Sequence, residues 1–357
     1  MARIIYGYSG EGSGHSSRAR EMASFLIDLG HDVRLVSYDR GYENLKDDFA
    51  VTRIEGLTIA SSDNRVSKLE TIRENLRKLP AGKRSLKEMR SLFTDFKPHV
   101  VVCDFEPMTA YLAEHFEIPL ISLDNQHRMR YVEHSIPEGS ESQSKFTRRL
   151  IRAMVPWPSV SLVTAFVPGE PTNDRTFVFP PLVRSQVQAI EPSQKDHLLV
   201  YLTSGFDSLI PILKEFPGES FFVYGYDRDD VDGNLTYFKS SQEGFVQHLA
   251  SSKAVIATAG FTLISEALHL RKPYFALPMK GQYEQELNAW QLKQSGLGTT
   301  ATPPTVESVG HFLYRLSEFR SRLNAYPNDS GQAIKKELAN LVANDGQRAR
   351  EYRRQRS

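Results

Sequence analysis

Lys253 to Leu292 reads KAVIATAGFTLISEALHLRKPYFALPMKGQYEQELNAWQL, and this stretch decides the fold. Ala254-Val255-Ile256-Ala257 is an apolar run of strand type that ends at Thr258-Ala259-Gly260. Leu263, Ile264, Ala267 and Leu268 then fall on one helical face. Pro273 cannot continue that helix, so it stops at Lys272-Pro273. Tyr274 to Leu277 is a second short strand, closed by Pro278, and a new helix begins near Glu284. Strand, turn, helix, strand, loop, helix is the grammar of a parallel α/β sheet.

The first turn has a specific physics. Gly260 allows a ligand to approach the backbone where a side chain would block it. The helix opening at Phe261-Thr262 points unpaired N–H groups and a positive dipole end beyond the strand, an arrangement suited to a diphosphate. Glu266 sits one turn inside. A carboxylate there does not suit a phosphate, but it can accept two hydrogen bonds from vicinal hydroxyls such as those of a ribose. The competing reading is an ordinary α/β turn with a surface glutamate.

Thr258-Ala259-Gly260 through Glu266-Ala267, then Pro278, Glu284-Gln285 and Asn288-Ala289, resembles the donor signature of GT-B glycosyltransferases. It is similar to that of UDP-glucuronosyltransferase-type enzymes and of the UDP-GlcNAc transferase that makes lipid II, and most closely to a sparsely characterised GT-B group. The resemblance covers about forty residues. It implies two Rossmann-like, doubly wound α/β domains facing a cleft, with Glu266 on the ribose and Glu284 and Gln285 on sugar hydroxyls. Gly260, Phe261, Thr262 and Asn288 complete this half of the expected donor site.

The chain has 357 residues, enough for two domains, and a net charge of +1, which gives no bulk electrostatic case for nucleic acid. Its one cysteine, Cys103, excludes an intrachain disulfide and fits a reducing compartment. No apolar run approaches the roughly 20 residues that span a bilayer, and the amino terminus reads as a strand and glycine loop, not a signal peptide. The expectation is a cytoplasmic protein whose membrane contact, if it has any, is peripheral, at the inner face.

Arg3 to Tyr8 reads as a strand, Ser9 to Ser16 as a glycine-rich loop, and Arg18 to Leu29 as an amphipathic helix with Gly30 at its end. Val33 to Ser37 is the next strand. Two readings compete for the loop. One is a dinucleotide fingerprint, but Gly10-x-Gly12-x-Gly14 lacks its spacing. The other is the first loop of a GT-B acceptor domain, which Ser13-Gly14-His15 resembles. On that reading Gly14 belongs with the donor site, Ser13 with the acceptor side, and His15 is the general base, since an imidazole titrating near working pH suits that task. The alternative for His15 is a helix cap or a phosphate ligand.

His99 to Cys103 is a buried strand, and Asp104-Phe105-Glu106-Pro107 lies at its carboxyl end, where parallel sheets hold ligands. Asp104 or Glu106 is expected to orient His15 or to be the base itself; the alternative is an N-cap before Pro107. The strand Pro119–Leu123 ends in Asp124-Asn125-Gln126-His127, with Asp124 and Asn125 as acceptor-side candidates. Ser61 to Ser91 reads as two helices interrupted by Pro80-Ala81-Gly82. Lys145 to Val155, KFTRRLIRAMV, is a basic amphipathic helix that either lies on an anionic membrane or covers its own domain.

Domain boundaries are expected at 1–185 for the acceptor half, 196–345 for the donor half and 346–357 for a frayed basic tail, with a polar linker between the halves. His197 to Leu202 is the first strand of the second half; Ser204 and Gly205 in its turn add a hydroxyl and N–H groups for the donor phosphates. Asp227-Arg228-Asp229 reads as a solvated turn, and no metal or cofactor is expected. Retaining GT-B enzymes often show two glutamates eight apart. Thr258 and Tyr274 stand at those offsets from Glu266, so inversion is expected.

The combined expectation is a glycosyltransferase, metal-independent and inverting, that takes a nucleotide-sugar donor, UDP-linked by resemblance. Its acceptor is a hydroxyl on an unidentified sugar, glycolipid or small molecule. Alternatives are a UDP-sugar 2-epimerase of the same fold and a non-catalytic nucleotide-sugar binding protein, with a dinucleotide oxidoreductase as the outsider.

Overall fold

The computed structural model describes residues 1–56, 61–62, 65–66, 79–202, 206–239, 241–327 and 329–356. The chain forms two compact units. The first runs to Leu182 and resumes at Gly331. The second is Val183–Ser330, with which the short hairpin Ser61–Ser62/Arg65–Val66 is grouped.

The first unit is built on β1 (Arg3–Tyr8), β2 (Asp32–Ser37), β3 (Val51–Arg53), β4 (Val100–Asp104), β5 (Leu120–Asp124), β6 (Val160–Thr164) and β7 (Thr176–Phe179). They pair in parallel in the order β3-β2-β1-β4-β5-β6-β7. β4, β5 and β6 are buried along their whole length, because a parallel sheet is covered on both faces. Helix α1 (Gly14–Asp28) covers one face with Ala19, Met22, Ala23 and Leu26, which recur at helical spacing. Helix α2 (Asp39–Leu45) follows β2.

Helix α3 (Leu79–Phe96) is continuous through Pro80-Ala81-Gly82, where the sequence suggested an interruption. Pro80 lies in the first turn, where its missing N–H would have had no partner in any case. The earlier of the two expected helices falls largely outside the described residues. Helices α4 (Pro107–His115), α5 (Arg128–Tyr131) and α6 (Glu141–Met154) complete the run to β6.

The second unit comprises α7 (Ser185–Gln188), β8 (His197–Tyr201), α8 (Leu209–Lys214), β9 (Ser220–Tyr224), β10 (Asp230–Asp232), β11 (Leu235–Phe238), α9 (Gln242–Ser251), β12 (Ala254–Thr258), α10 (Phe261–His269), β13 (Tyr274–Leu277), α11 (Tyr283–Gln294), β14 (Gly298–Thr300), α12 (Val306–Tyr314) and α13 (Leu316–Asn324). Its strand order is β10-β11-β9-β8-β12-β13-β14, parallel except for β10 against β11.

The domain boundaries differ from the expected ones. Val183 and Val187 are buried, and the polar stretch after them is counted with the second unit, not left as a free linker. The last helix, α14 (Gln332–Gln355), packs in the first unit. Ile334, Leu338, Leu341, Val342 and Ala349 enter that unit's core. The helix breaks at Asn344-Asp345-Gly346, all with positive φ. At Gly346 a Cβ would stand 2.2 Å from Val100 Cγ2, so only glycine lets the chain turn against β4. The basic tail is not frayed: Arg353 and Arg356 hold Glu114 at 2.6 and 2.7 Å, and with this pair burial, which raises a carboxyl pKa, is outweighed. Such docking explains why residues expected in the donor half belong to the other core.

Leu338 is fully buried, so Leu338→Ala should cost about 2–5 kcal/mol. Calorimetry should show the loss as a lowered Tm for the transition of the first unit; an unchanged melt would place α14 outside that core.

Candidate active site

In a doubly wound sheet, ligands bind beyond the carboxyl ends of the strands where the strand order reverses. In the first unit that point lies between β1 and β4, with Tyr8 in register with Asp104. In the second it lies between β8 and β12, with Tyr201 in register with Ala257.

Three side chains meet at the first point. His15 Nδ1 stands 2.7 Å from Asp104 Oδ1. Arg18 grips the same carboxylate twice, donating from Nε to Oδ2 and from Nη2 to Oδ1, both at 2.7 Å. Its Nη1 donates to Asn125 Oδ1 at 3.3 Å. His15 and Arg18 share a face because they are three residues apart on α1. Asp104 is delivered by the end of β4, and Ser9 N donates to its carbonyl at 2.9 Å, tying the loop after β1 to the same spot. Gly10 in that loop is required by space, since a Cβ would lie 2.2 Å from Tyr38 O. Phe105, next to Asp104, has φ +58 and lies parallel to the His15 ring at 6.4 Å. A bulky residue with positive φ costs about 1–3 kcal/mol and occurs most often at functional sites.

The electrostatics assign the roles. Asp104 is fully buried, and burial is the largest influence on it and would raise its pKa; Arg18 and His15 together outweigh burial and hold it below the usual carboxylate range. It is therefore ionised and accepts hydrogen bonds. Arg18 Nη2 also lies 3.2 Å from His15 Nδ1, but arginine can only donate. The shorter contact to an ionised carboxylate favours the tautomer in which Nδ1–H donates to Asp104, which in the neutral ring leaves the lone pair on Nε2. The imidazole is 12 % exposed. Asp104 thus holds the His15 ring by a hydrogen bond and is itself buried and ion-paired with Arg18.

Other expected residues of this unit have different duties. Glu106 is not on the acceptor side: it is the N-cap of α4, accepting from Met108 N at 2.8 Å and Thr109 N at 2.7 Å, and it is buried. Burial pushes its carboxyl pKa up despite those bonds. Asp124 is also enclosed and accepts from His127 N at 2.8 Å and His127 Nδ1 at 2.7 Å, so it does not face an acceptor. Asn125 is drawn to Arg18. Ser13 is exposed at the N-cap position of α1 and makes no side-chain cap bond, and Gly14 opens the helix behind it. Cys103 is buried, its thiol donating to Glu106 O, and burial pushes its pKa up.

At the second point β12 ends in the turn 258–260 and α10 begins at Phe261 behind Gly260. Its N-cap residue, Gly260, has no side chain to cap it, and a Cβ there would meet nothing within 4 Å. Gly260 thus leaves the approach to the start of α10 clear of any side chain of its own. Asn288, fully buried, donates to Ala259 O at 2.9 Å, and buried Tyr274 donates to Thr258 O at 2.7 Å. Asn288 therefore holds the turn that precedes α10. Gln285 holds the next loop, accepting from Met279 N at 3.0 Å and donating to Gln282 Oε1 at 2.8 Å. Glu284 is half-buried in the first turn of α11. Ser204 and Gly205 lie outside the described residues.

Glu266 is buried and held bidentately by Arg184, Nε to Oε1 at 2.5 Å and Nη2 to Oε2 at 2.7 Å. Each carboxylate oxygen has a further lone pair, so the pair fixes the carboxylate without exhausting it. Sequence reading missed both arginines. Arg18 left a signal, a cation three residues beyond His15 on one helix face; Arg184, in a polar stretch far from Glu266 in sequence, left none.

Because Asp104 has a lowered pKa in the folded chain, its stabilising contribution is present above the unfolded pKa of about 3.9 and is lost as pH falls through the folded value. Unfolding at graded pH should show wild-type stability declining below about pH 4. Asp104→Asn should be less stable near neutrality, with Arg18 left buried and unpaired, and should lack that part of the acid slope. Equal slopes would contradict the ion pair.

A family model described as Glycosyl transferase family 1 matches residues 2–317. Uncharacterized glycosyltransferases of Methanosarcina acetivorans and Methanosarcina mazei are each 26% identical to this chain, over 337 and 346 residues, covering 85% of this chain and 87% of theirs. Among solved structures, the glycotransferase of kitacinnamycin is similar with a TM-score of 0.69 at 14% identity, covering 96% of this chain and 99% of that one. The calicheamicin glycosyltransferase CalG4 has a TM-score of 0.66, with the same identity and coverage. The spinosyn rhamnosyltransferase SpnG complexed with thymidine diphosphate gives 0.61 at 12% identity, covering 94% and 100%. At such identities the likeness shows the fold alone, and that fold is GT-B. The chain belongs to glycosyl transferase family 1 and is a glycosyltransferase.

Proposed function

We propose that the chain transfers a sugar from a UDP-linked donor to an acceptor hydroxyl, with inversion at the anomeric carbon and without a metal ion. The observation that carries this reading is the ion-paired Asp104 beside His15 at the carboxyl edge of the first sheet. His15 Nε2 takes the proton of the acceptor hydroxyl as that oxygen attacks the anomeric carbon. Asp104 holds the tautomer and stabilises the imidazolium that forms; Arg18 keeps Asp104 ionised. The bond from the anomeric carbon to the diphosphate oxygen breaks on the opposite face, which is why one base and one displacement give inversion.

The departing diphosphate gathers negative charge. The N-terminus of α10, behind the glycine N-cap Gly260, supplies backbone N–H groups and the positive end of its dipole, a stabilisation that asks for no cation. Glu266, braced by Arg184, receives the ribose hydroxyls, and Glu284 and Gln285 receive the sugar, Gln285 by exchanging its bonds to the loop. A neighbour complexed with thymidine diphosphate makes a thymidine-diphosphate sugar the natural control donor.

A thermal-shift panel of nucleotide sugars identifies the donor, since a ligand at a hundred times its Kd adds about 2.7 kcal/mol. With that donor, His15→Ala should lower kcat about 10²–10⁴-fold and leave donor affinity essentially unchanged. An unchanged kcat would remove His15 from the chemistry. NMR of the wild-type product should show the opposite anomeric configuration to the donor, and turnover should persist in EDTA; retained configuration, or loss of activity on chelation, would overturn inversion or metal independence respectively.

A further inference from the structure

The first unit carries a second concentration of charge that the transfer reaction does not use. Arg148, Arg149 and Arg152 project from α6, Arg130 from α5 and Arg175 from the segment before β7, and all five line one open pocket of about 530 Å³. No carboxylate lines it. Among the described residues, Arg130, Arg148, Arg149 and Arg152 have no carboxylate partner; Arg175 Nε has only the exposed Asp174 at 3.9 Å.

Basic helices are common on protein surfaces, where water satisfies the guanidinium groups. Two details separate this cluster from such a face. The Nη1 atoms of Arg130 and Arg175 are both buried and lack a hydrogen-bond partner among the described residues. A buried donor left unpaired costs about 1–3 kcal/mol, and more when charged. Arg130 also has its charge disfavoured, first by burial and then by Arg152 and Arg148, with Tyr131 acting the other way. The neighbourhood therefore holds two unpartnered guanidinium nitrogens and five positive charges against one carboxylate, Asp174 at 3.9 Å, while Arg148 donates to Arg130 O at 3.3 Å. Forked guanidinium donors match the oxygens of a phosphate group, which can accept from several at once.

We infer that this arginine pocket is a binding site for a phosphate- or diphosphate-bearing ligand, separate from the donor site in the second unit. The phosphate has two chemical sources, a free anion or the headgroup of an anionic lipid. Phe146 and Leu150 lie exposed one turn apart on the same helix, so a lipid would find apolar contacts beside its headgroup.

The test uses the full chain and an Arg149→Glu/Arg152→Glu variant, both positions being exposed on α6 so that folding is preserved. Titration calorimetry at low salt uses inorganic pyrophosphate, and flotation uses vesicles of phosphatidylcholine with and without phosphatidylglycerol, whose negative surface potential attracts basic side chains. If the source is a free anion, wild type binds one more equivalent of pyrophosphate than the variant. If the source is a lipid, wild type floats with the anionic vesicles and the variant does so at least about tenfold less, with attraction fading as salt rises. Either result supports the site. Wild type binding neither probe, or the variant matching wild type with both, overturns it, and any pyrophosphate held at the donor site is common to both proteins and cancels. None of these readouts depends on which nucleotide sugar is used or on turnover.

Discussion

A buried carboxylate must be neutralised or paired, and Asp104 is paired. Its position at the end of β4 is set by the sheet, whose register puts it beside the end of β1. Removing it from water would push a proton onto it; the bidentate Arg18 prevents that. The residual lone pairs then dictate the tautomer of His15. The same corner is closely packed: Ser9 N donates to Asp104 O, and the loop after β1 passes Tyr38 so closely that only a glycine fits at Gly10.

The second unit uses the same device for a different purpose. Glu266 is as buried as Asp104, and Arg184 braces it with two bonds, as Arg18 braces Asp104. The turn beside it is held by Asn288 and Tyr274, and its N-cap residue, Gly260, has no side chain with which to cap α10. Both units thus pair a buried carboxylate with one arginine, Asp104 with Arg18 and Glu266 with Arg184, close to the carboxyl edge of their sheets.

Much of this was legible in the residues. Apolar runs such as Val100-Val101-Val102 and Ala254-Val255-Ile256 can be little else than strands buried on two faces, and the Gly turns behind them fix the βα units. His15 and Asp104 could be nominated because ligands gather at carboxyl ends of parallel strands. Their pairing could not be read, because residues 89 apart meet only through the order of strands. Glu106 illustrates a choice that sequence leaves open: a glutamate before Pro107 is a cap and a candidate base at once, and only the two N–H bonds decide. The amphipathic face of Gln332–Gln355 was visible, but nothing in a helix's own pattern names the core it covers. Pro80 misled because proline ends helices in their interiors and opens them at their first turn.

The account turns on which ring nitrogen of His15 carries the proton. Long-range ¹H–¹⁵N correlation on protein labelled at histidine, with His15 assigned by its loss in His15→Gln, reads this directly at a pH where the ring is neutral. The expected pattern is a protonated Nδ1 and a pyridine-like Nε2. A protonated Nε2 with a bare Nδ1 would mean that Asp104 does not orient a base, and the proposed chemistry of the first unit would fall with it.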